Sequence, residues 1–278
     1  MAFSQLRPLS LGEVLDGAFT LYRRQFSSMF LTALIPQIPM IAFMALYYGM
    51  LASPAAGSGS GPSALSVIAT LVLLPVALVG TLAGFGGVTF QVARAYTGAP
   101  VTTGEAIRRG LSRALPLLGA YFVVGILSIF GLIAFIIGAL FVWISAFAVA
   151  PAVVLERRGP IDAISRSWAL IKGAWGEVFL VMFIAYLIAA LPGFAVSMFA
   201  TLGAALISHG DMSKMMGAQA VGQVLAQITQ TLTIPFSAGA LVLLYYDRRV
   251  RSEALDVQMM AESLAAAPPP PQPVPGWG

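Results

Sequence analysis

Residues 25–93 read QFSSMFLTALIPQIPMIAFMALYYGMLASPAAGSGSGPSALSVIATLVLLPVALVGTLAGFGGVTFQVA, 69 positions without one Asp, Glu, Lys, Arg or His. A helix on the surface of a soluble domain must turn one face to water and cannot stay uncharged for so long. A helix that crosses a hydrocarbon core of about 30 Å needs about 20 apolar residues. The stretch therefore holds two spans. The Gly/Ser/Pro run SPAAGSGSGPS at 53–63 divides it into spans at 29–51 and 64–93.

The rest of the chain follows the same grammar. Residues 114–155 give another 42 uncharged positions, enough for spans at 115–135 and 137–155 joined by a very tight turn between Gly131 and Gly138. Residues 178–208 and 215–246 are also free of charge and yield spans at 178–207 and 217–246. The fold class that results is an all-α integral membrane protein with six transmembrane helices, forming a single membrane domain over 1–260. The tail 261–278, rich in proline, reads as a disordered polyproline-type segment.

Composition agrees. Of 278 residues 26 are charged, 59% are apolar, and mean hydropathy is +0.89. Ordinary soluble domains carry about 25% charged residues. The absence of cysteine excludes disulfides and cysteine-based zinc sites. The N-terminal segment carries Glu13 and Asp16 and lacks the continuous apolar core of a cleaved signal peptide.

An even number of spans puts both termini on one side. Fourteen of the 15 basic residues fall on that side, Lys214 being the exception, so the positive-inside rule makes it cytoplasmic. A net charge of +4, which in a soluble protein would point to nucleic acid, is here explained by topology.

Three polar-apolar segments precede membrane hairpins, at about 10–26, 102–114 and 160–173. Ser10-Leu11-Gly12-Glu13 and Thr102-Thr103-Gly104-Glu105 fit the capping box, and Gly159-Pro160-Ile161-Asp162 places Gly at the cap and Pro in the first turn. Apolar residues then recur at helical spacing: Leu11, Leu15, Phe19, Tyr22 and Phe26; Ile107, Leu111, Leu115 and Leu118; Ile164, Trp168, Ile171 and Trp175. These read as interfacial amphipathic helices at the cytoplasmic headgroup layer. Aligning the caps superimposes Glu13, Glu105 and Asp162, then Leu15, Ile107 and Ile164, then Phe19, Leu111 and Trp168. Either the chain is a three-fold repeat of helix plus hairpin, or three unrelated connectors share ordinary capping chemistry.

No span carries an interior charge, which argues against a proton relay or ion path. Among neutral polar residues, Gln223, Gln227 and Gln230 form a stripe in the last span with Thr231 beside it. Gln37 lies between Pro36 and Pro39 in the first. Such residues line a polar cavity or make interhelical hydrogen bonds. Gly80, Gly84 and Gly87 share one face of the second span and permit close helix approach. Arg94, Arg157, Arg158, Arg248, Arg249 and Arg251 are candidate contacts for anionic lipid headgroups. His209 is the only histidine; no metal set, nucleophile elbow or phosphate loop accompanies it. No cofactor is expected.

Three stretches carry a resemblance. Arg7-Pro8-Leu9-Ser10-Leu11-Gly12-Glu13-Val14-Leu15-Asp16-Gly17-Ala18-Phe19 is similar to the N-terminal signature of a bacterial family known as the membrane domain of glycerophosphoryl diester phosphodiesterases. Pro151-Ala152-Val153-Val154-Leu155-Glu156-Arg157, followed by Ala163, Arg166, Ser167 and Trp168, resembles its central signature. Tyr246-Asp247-Arg248-Arg249-Val250-Arg251 resembles its C-terminal one. In the named enzymes catalysis belongs to a separate barrel with paired histidines. The resemblance thus implies a stand-alone membrane domain in the bacterial cytoplasmic membrane and carries no catalysis with it.

The expectation is a non-enzymatic membrane protein, a scaffold or accessory subunit of a membrane complex, whose partners are membrane lipids and a membrane protein. The alternative is a transporter or flippase-like carrier of a lipid or small apolar solute.

Overall fold

A computed structural model describes residues 7–51, 63–133 and 135–254. The loop expected at 53–63 (apart from Ser63) and the tail at 261–278 lie outside them. Among the described residues all regular structure is helical: α1 (Leu11–Arg24), α2 (Phe26–Leu51), α3 (Ala64–Tyr96), α4 (Thr103–Ile133), α5 (Phe135–Ser145), α6 (Val149–Val154), α7 (Pro160–Ile171), α8 (Trp175–Ser208) and α9 (Met212–Glu253). Six segments are long and apolar enough to cross a membrane: α2, α3, α4, the α5–α6 segment from Ile137 to Val154, α8 and α9. Leu71, Phe122, Phe194 and Phe199 stay on the outside of the bundle, where only lipid rewards large apolar side chains.

Helix starts obey local chemistry. Ser10 N–H donates to Glu13 Oε2 at 2.8 Å and Glu13 N–H returns to Ser10 Oγ at 3.4 Å. The Thr102 and Glu105 pair repeats the reciprocal bonds at 3.1 and 3.3 Å. α7 begins on Gly159 with Pro160 in its first turn, where a missing N–H costs nothing.

Two boundaries differ from expectation. The helix expected at 102–114 and the span expected at 115–135 are one helix, α4. Pro116 falls inside it without ending it, there being no cap residue or glycine at 114–115. The span expected as one helix over 137–155 is broken at 146–148, between α5 and α6. There Ser167 on α7 accepts from Ala148 N–H at 3.0 Å and donates to the Ser145 carbonyl. The α4–α5 turn lies between Gly131 and Gly138, whose backbones touch: a Cβ on Gly138 would fall 2.3 Å from the Gly131 carbonyl oxygen.

The three capped segments share a burial register that their apolar spacing conceals. Val14, Ala106 and Ala163 are buried at one aligned position, and Ala18, Gly110 and Ser167 at another. At the aligned Phe19, Leu111 and Trp168 the large side chains are 49%, 53% and 40% exposed. Each segment thus packs on the bundle through small residues and turns its bulk outward.

Candidate functional site

The charges gather at one end of the bundle. α9 is 42 residues long, about 63 Å at 1.5 Å per residue and twice a hydrocarbon core of about 30 Å, and its last turns carry Asp247, Arg248, Arg249 and Arg251 among α1, α7 and the start of α8. Leu9 N–H donates to Asp247 Oδ1 at 2.7 Å, and Arg251 Nη2 donates to the Leu9 carbonyl at 2.8 Å. Both ends of the described chain are therefore tied at the same end of the bundle.

Glu156, in the loop after α6, is the hub of this network. It accepts from Tyr245 Oη at 2.5 Å, Arg158 Nε at 2.5 Å and Arg166 Nε at 2.9 Å, and Arg249 Nε stands 3.9 Å away. Burial opposes its charge, yet the hydrogen bonds from Tyr245, Arg158 and Arg166 together outweigh that and hold its carboxyl below the ordinary carboxylate range. Arg166 also pairs with Glu253, which Arg249 Nε approaches to 3.0 Å. Arg248 pairs with Glu177 at 3.2 Å, and Arg251 with Asp247 at 2.9 Å. Of the six arginines read as headgroup contacts, Arg158, Arg248, Arg249 and Arg251 thus have carboxylate partners inside the chain.

Arg94 and Arg157 go elsewhere. They border a cavity of about 520 Å³ whose walls also include Arg108, Arg109, Glu105, Ser112 and Phe90. Arg94 lies in the last turn of α3, Arg108 and Arg109 in the second turn of α4, and Arg157 in the 155–159 loop, so three separate stretches of chain build the site. Among the described residues none of these four guanidinium groups forms an ion pair. Glu105, the one carboxylate in the wall, is engaged by the Thr102 amide and hydroxyl at 3.1 Å each.

Arg109 is the best positioned of the four. Its Nη2 donates to the Val154 carbonyl at 3.0 Å, and its guanidinium carbon stands 5.4 Å from the centroid of the Phe90 ring. Its Nε is buried without a hydrogen-bond partner, and a buried unpaired donor is costly. Arg157 has φ +59°, the left-handed region that a side chain enters at a cost of about 1–2 kcal/mol. Four cations against one engaged anion make a surface suited to a multivalent oxyanion.

No family model, curated protein or solved structure matches this chain.

The neutral polar residues take part in helix contacts. Gln37 is buried and accepts from Thr81 on α3 at 2.9 Å. Gln223 donates to Ser197 on α8 at 3.3 Å, and Gln230 packs by Gly193, also on α8. Thr231 is buried and donates to the carbonyl of Gln227, one turn back in α9. Gly80, Gly84 and Gly87 seat α3 against its neighbours. A Cβ on Gly80 would fall 2.2 Å from the Pro36 carbonyl oxygen, one on Gly84 3.1 Å from that of Ala33, and one on Gly87 2.9 Å from that of Ala106.

Arg108, Arg109 and Ser112 escaped selection from sequence as site residues. The available signal was their spacing with Glu105 at i+3, i+4 and i+7, which places all four on one face of α4. The partners that make this face a site, Arg94 and Arg157, are supplied only by tertiary folding.

Proposed function

We propose that this chain is a non-enzymatic membrane protein of the bacterial cytoplasmic membrane, with both termini cytoplasmic, acting as a scaffold or accessory subunit through lipid and protein contacts at its charged end. The observation that carries the reading is the shared register of α1, the start of α4 and α7. Each presents a large apolar residue outward (Phe19, Leu111, Trp168) beside the basic cluster. Bulky apolar residues next to arginines suit the headgroup layer, where the ring or branched chain enters the acyl boundary and the cation stays in water. The same register supports the three-fold repeat over unrelated connectors, because aligned positions agree in burial in all three segments and in reciprocal capping in the first two.

Kinship with the membrane domain of glycerophosphoryl diester phosphodiesterases belongs to the same proposal. In its favour, the three resembling stretches meet: Leu9 with Asp247 and Arg251, and Glu156 with Arg249 at 3.9 Å. The carrier alternative draws less support, since Gln37 and Gln223 bond to neighbouring helices and Gln230 packs by Gly193.

The test is purification of the full chain in mild detergent with mass spectrometry of what accompanies it. Enrichment of a membrane protein or of anionic lipid above the bulk membrane ratio is expected. Recovery of the lone chain with bulk-like lipid would overturn the scaffold reading.

A further inference from the structure

We infer that the cavity bounded by Arg94, Arg108, Arg109 and Arg157 is a binding site for a phosphate-bearing anion, either the headgroup of an anionic phospholipid or a small soluble phosphate. The inference deepens the proposal above and rests on it for the placement of the cavity at headgroup depth.

Quasi-equivalence within the chain makes the argument. In the capping alignment Arg109 occupies the position of Arg166. Arg166 is neutralised from within, by Glu156 at 2.9 Å and by Glu253 at 2.8 Å through its Nη2. Arg109 stands at the corresponding place with no carboxylate against it, beside a cavity of about 520 Å³ and three further arginines. What Glu156 and Glu253 do for Arg166, an external anion does for Arg109. The first segment has Gly17 at this position, with Leu243 packed over it, so only one of the three aligned places is both cationic and open.

Two local features point the same way. The Arg109 guanidinium is fixed at the cavity wall by the Val154 carbonyl and the Phe90 ring, and its buried Nε has no acceptor among the described residues. Arg157 is brought to the cavity by a left-handed turn after α6, across which Arg158 N–H donates to the Ala152 carbonyl at 3.2 Å. The surface beside the cavity also favours a headgroup. Leu111 and Leu115, on the adjoining face of α4, are 53% and 69% exposed, a path for an acyl chain leading away from Arg108 and Ser112. Phosphate with several arginines forms charge-assisted, bidentate bonds, the strongest such contacts available at a wet surface.

The experiment uses the full chain in a neutral detergent. Phosphatidylglycerol, phosphatidylcholine and inorganic phosphate are titrated separately, and binding is read as the rise in thermal midpoint and as lipid retained in native mass spectrometry. The test variant is Arg108→Gln with Arg157→Gly. The first residue is exposed, and the second change relieves the backbone, so folding is preserved and the ligand-free midpoint stays level or rises. The control, Arg23→Gln with Lys172→Gln, removes the same charge from exposed positions outside the cavity.

Phosphatidylglycerol is expected to bind the wild type over phosphatidylcholine, and affinity is expected to fall roughly tenfold or more in the test variant while changing less than about twofold in the control. Competition by millimolar inorganic phosphate assigns the site to a soluble anion as well. Its failure to compete assigns the site to the lipid. Wild-type affinity in the test variant, an equal loss in the control, or no preference for either phosphatidylglycerol or phosphate would overturn the inference. Binding in detergent does not depend on orientation. An inverted topology would thus sink the functional proposal and leave this result standing.

Discussion

Replacing Ser167 by alanine tests how the broken fifth span is held. Ser167 is fully buried on α7, and its hydroxyl fills the gap at 146–148, accepting from Ala148 N–H at 3.0 Å and donating to the Ser145 carbonyl. Residues Ser145 and Ala148 are themselves fully buried, so water cannot replace the lost partner. Each orphaned backbone group costs about 1–3 kcal/mol. Relief from burying the hydroxyl itself offsets part of that, leaving a net loss of about 2–4 kcal/mol. On the scaling of about 2–4 °C per kcal/mol for a chain of this size, the thermal midpoint in detergent falls by roughly 5–15 °C. Ser145→Ala is the matched control, because its hydroxyl only donates to the Phe141 carbonyl one turn back. That change removes no cover from the break, and a loss under about 1 kcal/mol is expected. A drop below about 2 °C for Ser167→Ala, or equal drops for the two variants, would refute the idea that one hydroxyl closes this gap.

Two further outcomes follow from the same geometry. Gly110→Ala places a Cβ 1.9 Å from the Ala83 carbonyl oxygen, where only backbone can yield, and should cost about 1–3 kcal/mol by overpacking; Gly104→Ala meets nothing within 4 Å and should be neutral or stabilising by up to about 1 kcal/mol, so equal midpoints would refute the close packing of α3 on α4. Glu156, whose folded pKa lies below its ordinary value of 4.5, contributes stability that is complete above that value and is lost as pH falls through the depressed one. Glu156→Gln should therefore destabilise the chain by about 1–3 kcal/mol at neutral pH and flatten the midpoint-against-pH curve on the acid side, whereas parallel curves for the two proteins would remove Glu156 from the hub.

The six long apolar helices were legible because hydropathy is a local, additive property, and the 69 uncharged residues after Arg24 admit no other arrangement. Helix starts at Ser10 and Thr102 were legible for a similar reason, since a capping box closes within four residues. The boundary between 114 and 115 was misplaced because amphipathicity changes there while the backbone does not, and polarity alone cannot tell a change of environment from a change of conformation. The break at 146–148 left no local mark. It depends on Ser167, some twenty residues downstream, arriving from another helix. The packing face of the capped segments was hidden: spacing of large apolar residues marks Phe19, Leu111 and Trp168, whereas the bundle is contacted through the small faces of Ala18, Gly110 and Ser167. The arginine cavity was half legible. Arg94 and Arg157 stood out as basic residues flanking spans, but nothing local separated them from Arg248 or Arg251, whose charges the fold matches internally.

The most direct test of the proposed orientation exploits the absence of cysteine from the chain. Single cysteines are placed at Arg157, beside the cavity, and at Asp211, in the turn between α8 and α9, and intact bacterial cells are treated with a membrane-impermeant maleimide. The cysteine at 211 should label in intact cells, and that at 157 only after permeabilisation. Labelling of 157 in intact cells, or equal labelling of both positions, would contradict a cytoplasmic charged face.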